Sequence, residues 1–212
     1  MKKFKVLLLP GDGIGQEISI EAKKILNWLE TNSSINFEVI ESDIGGKSID
    51  KYEEPLTSKV LDNALNSDAV LLGAVGGPKW EKLPFDIRPE RGLLKLRKEL
   101  DLFANFRPAI VFDSLKESSS LKEEIISDLD LMIIRELTGG IYFGEPRGVE
   151  EVSPGIKKGF NTLVYFSDQI RRIAKVGFEV AQKRSKKLCS VDKANVLEST
   201  GLWREGEIET SK

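Results

Sequence analysis

The sequence predicts an α/β fold with a largely parallel sheet. Three observations carry that expectation. Short apolar runs alternate with segments whose apolar residues recur at helical spacing. Glycines punctuate several of the turns between them. Finally, 212 residues with 40% hydrophobic and 31% charged side chains suffice for one large domain or two small ones with a sizeable core.

Taken in order, residues 4–9 read as a buried strand stopped by Pro10, Gly11 and Asp12. Ile18, Ala22, Ile25 and Leu29 then share one face of a helix. Residues 37–40 read as a second strand, Val60, Leu61, Ala64 and Leu65 as a short helix, and residues 69–75 as a third strand. Leu93, Leu96 and Leu100 place a stripe on a helix following Gly92. Residues 129–134 read as a strand whose alternation puts Leu131, Ile133 and Arg135 on one face. Ser167 reads as the N-cap of a long helix burying Ile170, Ile173, Ala174, Gly177 and Ala181. Residues 188–191 read as a last strand. Two long glycine- and proline-rich loops, 73–90 and 144–160, interrupt the alternation, and loops of that length are usually functional. The second reads either as an arm that pairs with another subunit or as an insertion. After Val196 the chain enters one further element. Both a short protein and a truncated one fit that ending.

Composition removes several function classes. The formal net charge of -2 leaves no basic footprint for nucleic acid and no polybasic membrane patch. With no histidine, acid–base chemistry falls to Lys, Tyr, Asp or Glu. Cys189 is the only cysteine, which excludes an internal disulfide and a cysteine-based zinc site. Its apolar neighbours predict a packed thiol, and a lone thiol fits a reducing compartment. The first apolar run is too short for a signal peptide, and nothing approaches the roughly 20 apolar residues of a membrane span. The expectation is a soluble, cytoplasmic protein.

Four motifs could carry chemistry. Gly11-Asp12-Gly13-Ile14-Gly15 stands between a strand and a helix and partly matches a dinucleotide fingerprint, with its third glycine one position early. A ligand contact and a tight turn explain it equally well. Arg97, Arg107 and Arg135 each accompany an apolar element. A guanidinium there calls for an internal carboxylate or a ligand carboxylate, which it can grip through two hydrogen bonds. Tyr142 follows Arg135 between glycine turns and is either a proton donor tuned by a nearby cation or a core tyrosine. Lys193 ends the expected last strand and is either a base or a surface lysine paired with Asp192.

Together, in this order, these motifs resemble the 3-isopropylmalate dehydrogenases, within the wider β-decarboxylating dehydrogenases that include isocitrate dehydrogenase. The resemblance spans essentially the whole chain. It rests on residues 9–15 (LPGDGIG), 73–80 (GAVGGPKW), 101–108 (DLFANFRP), 135–148 (RELTGGIYFGEPRG) and 190–197 (SVDKANVL).

The resemblance implies that family's two-domain fold, distinct from an ordinary Rossmann fold and incomplete here. Residues 1–100 would be the first half of an NAD-binding domain. Residues 101–212 would be part of a substrate and dimerisation domain, with an arm at 144–166. It implies NAD-dependent oxidative decarboxylation of 3-isopropylmalate to 4-methyl-2-oxopentanoate, a step of leucine biosynthesis. Arg97, Arg107 and Arg135 would bind the substrate carboxylates, with Asn195 also at the substrate. Tyr142 would protonate the enol, and Lys193 would be the base, reaching in from the partner subunit of a homodimer. Gly76, Gly77, Pro78, Lys79, Trp80, Glu81 and Glu90 would lie against NAD. Glu90, Leu93 and Leu94 would meet the substrate side group, where two leucines suit an isopropyl better than a third carboxylate. Magnesium or manganese is implied on aspartates beyond Lys212, with no metal ligand assigned within the chain. The isolated chain is then expected to be inactive and poorly stable. The alternatives are an isocitrate, homoisocitrate or tartrate relative and a non-catalytic acid-binding subunit.

Overall fold

A computed structural model describes residues 2–212. The chain divides into two compact units, Met1–Asp101 and Leu102–Lys212. The first contains β1 (Lys2–Gly11), α1 (Ile14–Asn32), β2 (Ile35–Glu41), α2 (Gly46–Tyr52), α3 (Ser58–Leu65), β3 (Ala69–Ala74) and α4 (Pro89–Glu99). Its three strands run parallel in the order β2-β1-β3. As the central strand, β1 is paired on both edges, so its uninterrupted apolar run is buried along Val6–Leu9. Leu7 and Leu9 join Ile44, Leu56, Val60, Ala64 and Leu96 in one core. Thr57 caps α3 by accepting a hydrogen bond from the Val60 amide at 3.3 Å.

Two expectations for this unit need correction. Helix α4 starts at Pro89 rather than after Gly92, because proline at the first helical position gives up no hydrogen bond. Gly92 sits inside the helix because a Cβ there would come within 2.7 Å of the Pro55 carbonyl oxygen. In α1 the buried side carries Gly15 and Ser19, with Ala22 and Leu29 half-buried, whereas Ile18 and Ile25 are exposed with Ile14 and Trp28. Gly15 lets the helix approach so closely that a Cβ would be 2.1 Å from the Pro10 carbonyl oxygen. The small-residue side therefore takes the sheet, and the isoleucine stripe is left outside.

The second unit contains β4 (Ala104–Ile110), α5 (Glu123–Ile126), β5 (Asp130–Glu136), β6 (Gly148–Ser153), β7 (Ile156–Phe160), α6 (Ser167–Gln182) and α7 (Glu198–Thr210). Here the pairing is antiparallel: β4 with β5, and β6 with β7 as an exposed hairpin within the second long loop. The buried face of α6 is Ile170, Ile173, Ala174, Gly177 and Ala181, as its spacing predicts. The helix begins at Ser167 itself, and Phe166 is the capping position, its amide donating to the Gln169 side chain at 3.1 Å.

Residues 188–191 form no strand. No ladder forms along them, Val191 is 90% exposed, and Leu188 rests against Gly177 of α6. Cys189 is consequently exposed rather than packed. Among the described residues, no helix is long and apolar enough to cross a membrane.

Candidate functional site

The predicted site residues fall into two groups, one in each unit. In the first unit, β3 delivers the chain into residues 76–90. Gly76 has φ +99°, and a Cβ there would stand 2.6 Å from a carboxylate oxygen of Glu90. The backbone at Gly76 and the Glu90 carboxylate thus form a cradle only glycine admits. Pro78–Trp80 is a short 3-10 turn. The Lys79 ammonium pairs with Asp50 at 2.5 Å and the Trp80 indole N–H donates to Asp50 at 3.1 Å. These two donors hold the Asp50 carboxyl below the usual carboxylate range, Lys79 contributing most. Glu81 and Glu90 are exposed. On α4, Glu90 lies in the first turn, Leu93 and Leu94 are half-buried, and half-buried Arg97 lies in the last turn.

The Gly11–Gly15 motif is explained by packing. Gly11 has φ +71°, and a Cβ there would lie 1.9 Å from the Ala74 carbonyl oxygen. The turn is tight because two backbones meet.

In the second unit, the β4–β5 register pairs Asn105 with Arg135 and Arg107 with Ile133. Directly paired residues and those two apart share a face, so Arg107, Arg135, Leu131 and Ile133 all lie on the same side of the ladder. That side is exposed, with Leu131 and Ile133 each 51% accessible. This corrects the expectation that Arg135 answers to the cost of burial. No internal carboxylate pairs with it among the described residues; its guanidinium lies over the Tyr142 ring, 5.3 Å from the centroid. Arg107 donates from its Nε to the Asn105 side-chain oxygen Oδ1 at 2.6 Å.

Tyr142 ends a 3-10 turn, Gly140–Tyr142, and is 52% exposed, so it is no core tyrosine. Arg135 and Tyr142 line a cleft of about 930 Å³, together with Tyr165, Ser190, Asp192 and Trp203. Lys193 and Asn195 are exposed in the turn before α7, and neither lines that cleft. Lys193 does not pair with Asp192, whose carboxylate instead takes Arg204 Nη2 at 2.7 Å and the Ala194 amide at 2.9 Å.

Sequence reasoning missed the groups that hold this turn. Glu136 has its side chain buried and accepts from the Thr138 amide at 2.9 Å, the Thr138 hydroxyl at 2.5 Å and the Gly139 amide at 2.8 Å. Arg172 donates to the Thr138 hydroxyl, approaches Glu136 at 3.8 Å and lies over Phe103 at 4.5 Å. Tyr165 packs against Gly139, Gly140 and Trp203. Burial pushes its phenol above the ordinary tyrosine range, aided by Glu136 and opposed by Arg135. The available signal was local: a carboxylate followed within three residues by Thr and Gly amides it can reach.

The model of the isocitrate/isopropylmalate dehydrogenase family matches residues 5–212. Among curated relatives, the 3-isopropylmalate dehydrogenase of Paramagnetospirillum magneticum is 55% identical over all of this chain and 58% of its own length. That of Pelagibacter ubique is 56% identical over 97% of this chain and 56% of its own. The chain therefore spans a little over half the length of these relatives. Among solved structures, isocitrate dehydrogenase from Methylococcus capsulatus matches with a TM-score of 0.72 at 26% identity, over 98% of this chain and 57% of that one. A β-decarboxylating dehydrogenase from Thermococcus kodakarensis matches with a TM-score of 0.67 at 29% identity, over 98% and 54%.

Proposed function

The chain belongs to the isocitrate/isopropylmalate dehydrogenase family and has that family's fold, and from this premise we propose that the protein carrying it is an NAD-dependent 3-isopropylmalate dehydrogenase. One observation carries the reading in this chain: two arginines free to meet a ligand carboxylate share an open face of the β4–β5 ladder, and a tyrosine is stacked beneath one of them.

In this reading Arg107 and Arg135 grip substrate carboxylate and fix the hydroxyl-bearing carbon, and Arg97 is likewise assigned to carboxylate binding. Lys193 takes the hydroxyl proton when the hydride leaves that carbon. NAD, when bound, accepts the hydride. The resulting β-keto acid loses carbon dioxide, and the electron pair of the broken bond is left in an enolate. The Tyr142 phenol then donates a proton to carbon. Glu90, Leu93 and Leu94 face the isopropyl group, where two half-buried leucines favour an apolar substituent over a third carboxylate. Asn195 is assigned to the substrate.

The cradle at Gly76 fits a cofactor. Gly76, Gly77, Pro78, Lys79, Trp80, Glu81 and Glu90 would hold NAD, the Glu90 carboxylate accepting from a ribose hydroxyl. A divalent metal fits differently. Among the described residues, no three His, Cys, Asp or Glu side chains gather to hold one. The magnesium or manganese of the family is proposed for residues outside this chain.

We assign residues 1–100 to cofactor binding and 101–212 to substrate binding and dimerisation, with residues 144–166 as an arm toward a second copy. Lys193, exposed and apart from the Arg135–Tyr142 cleft, suits a base that serves the partner's site. A cytoplasmic location completes the proposal.

The test is isopropylmalate-dependent NAD reduction, with magnesium, by the longest natural product containing this sequence, beside isocitrate, homoisocitrate and tartrate. Preference for isopropylmalate is expected. Turnover of another acid would move the protein to a sister activity, and carboxylate binding without turnover would favour an acid-binding subunit. Residues 1–212 alone are expected to be inactive.

A further inference from the structure

Asp12 is a buried carboxylate that the mechanism does not use. Asp12 is 4% exposed, although it stands in a turn, and it has no cation partner among the described residues. Three backbone amides converge on it instead. Gly46 and Gly76 donate to one carboxylate oxygen, and Lys47 to the other, each at 2.8 Å. Its own amide donates to the Ala74 carbonyl at 2.7 Å, so Asp12 grips the chain on both sides of Val75. Gly45 must be glycine for this, because a Cβ there would be 2.5 Å from the Asp12 carboxylate.

A second carboxylate completes the attachment. Where Asp12 holds the start of α2, Asp50 near its end takes the Lys79 ammonium and the Trp80 indole N–H. Between them the Trp80 ring covers Gly46 so closely that a Cβ there would lie 2.3 Å away. Residues 76–80 are thus fixed to α2 directly by a ring on Gly46 and two donors on Asp50, and indirectly through Asp12, which accepts from the Gly76 amide as well as from those of Gly46 and Lys47.

We propose that Asp12 and Asp50 are positioning residues that set the geometry of residues 76–80, and through it NAD affinity. The inference rests on the assignment of that segment to NAD. Hydrogen bonds from three amides to one ionised group are strong and directional, so replacing the acceptor loosens all three segments together. An asparagine at position 12 keeps the shape, but its NH2 must face an amide N–H. The Asp50 contacts are more exposed and contribute less.

The experiment uses D12N and D50A in the longest natural product containing this sequence. D12N should raise the KM for NAD at least about tenfold, and D50A about threefold, with kcat and the isopropylmalate KM little changed. A second readout needs no turnover. With every tryptophan other than Trp80 replaced by phenylalanine, Trp28 and Trp203 among them, Trp80 emission should shift to longer wavelength and be quenched more readily by acrylamide in both variants. D50N, which can still accept from the Trp80 indole, should restore part of the emission. Unaltered Trp80 emission and quenching in both variants overturns the proposal, as does altered emission with an unchanged NAD KM. A wild-type protein that reduces no NAD defeats the proposed function instead, while Trp80 still reports whether the carboxylates hold the segment. Should D12N fail to fold, D50A carries the test, because it leaves the three Asp12 bonds intact.

Discussion

β1 and β5 are equally apolar and differently buried. Val6–Leu9 and Leu131–Ile134 are each four consecutive large aliphatics. Leu7, Leu8 and Leu9 are wholly buried, whereas Leu131 and Ile133 are half exposed. The difference comes from neighbours. β1 has a parallel partner on each edge, whereas among the described residues β5 pairs only with β4. An apolar run states that a strand is suited to burial, but other segments must supply the cover. The open side of β5 is also the side that carries Arg135.

The sharpest way to break this comparison is to truncate one side chain in each strand. Leu7→Ala should destabilise the chain by about 2–5 kcal/mol, since it removes a fully packed leucine and leaves a cavity. Ile133→Ala should cost about 1 kcal/mol or less, because much of its surface already meets water. Urea unfolding followed by circular dichroism measures both. Equal losses would mean that the open face of β5 is covered in solution.

The next largest effect belongs to the charged end of that face. In an active protein, Arg135→Ala should weaken substrate binding by about 1.5–3 kcal/mol for each charge-assisted bond lost. Unchanged KM and kcat would remove Arg135 from the site. Glu136→Ala, on the buried side of the same strand, should cost about 1–3 kcal/mol, because the Thr138 and Gly139 amides lose their acceptor. It should also lower kcat by loosening the turn that presents Tyr142. Stability lost with kcat intact would confine Glu136 to a structural role.

The sequence was most legible where one element's own pattern decides the outcome. The buried face of α6 follows from the spacing of five residues. The parallel strands of the first unit follow from the alternation of elements. It misled where the decision lies between elements. In α1 two apolar sides competed, and the closeness allowed by Gly15 decided for the smaller one. Residues 188–191 have strand composition without a ladder. The arginines and Tyr142 were visible as residue types, but the face that Arg107 and Arg135 share and the stacking of Arg135 on Tyr142 come from strand register and the turn after β5. Asp12 was invisible as an anchor, since its partners lie 34 to 64 residues away and bind through backbone amides that carry no sequence signature.

The smallest effect concerns how α7 is held. Arg204 of this helix places its guanidinium on Asp192, with Nε at 3.0 Å and Nη2 at 2.7 Å. Arg204 foremost, with help from the Ala194 amide, holds the Asp192 carboxyl below the usual range. A carboxylate with a depressed folded-state pKa stabilises the fold fully above its unfolded pKa, about 3.9, and the benefit is lost as pH falls through the lower folded value. The attachment of α7 should therefore be constant through neutral pH and weaken only in acid, below the ordinary carboxylate range. Trp203 reports on it directly, because its ring stands edge-on to Tyr165 at 5.0 Å. Its emission should be flat from neutrality downward and change in that acid window, while Asp192→Asn should show the altered emission already at pH 7. If the two proteins titrate alike, Arg204 does not hold the helix, and the packing of Gly206 against Ile170, the Trp203–Tyr165 contact and the Arg171–Glu209 pair do so instead.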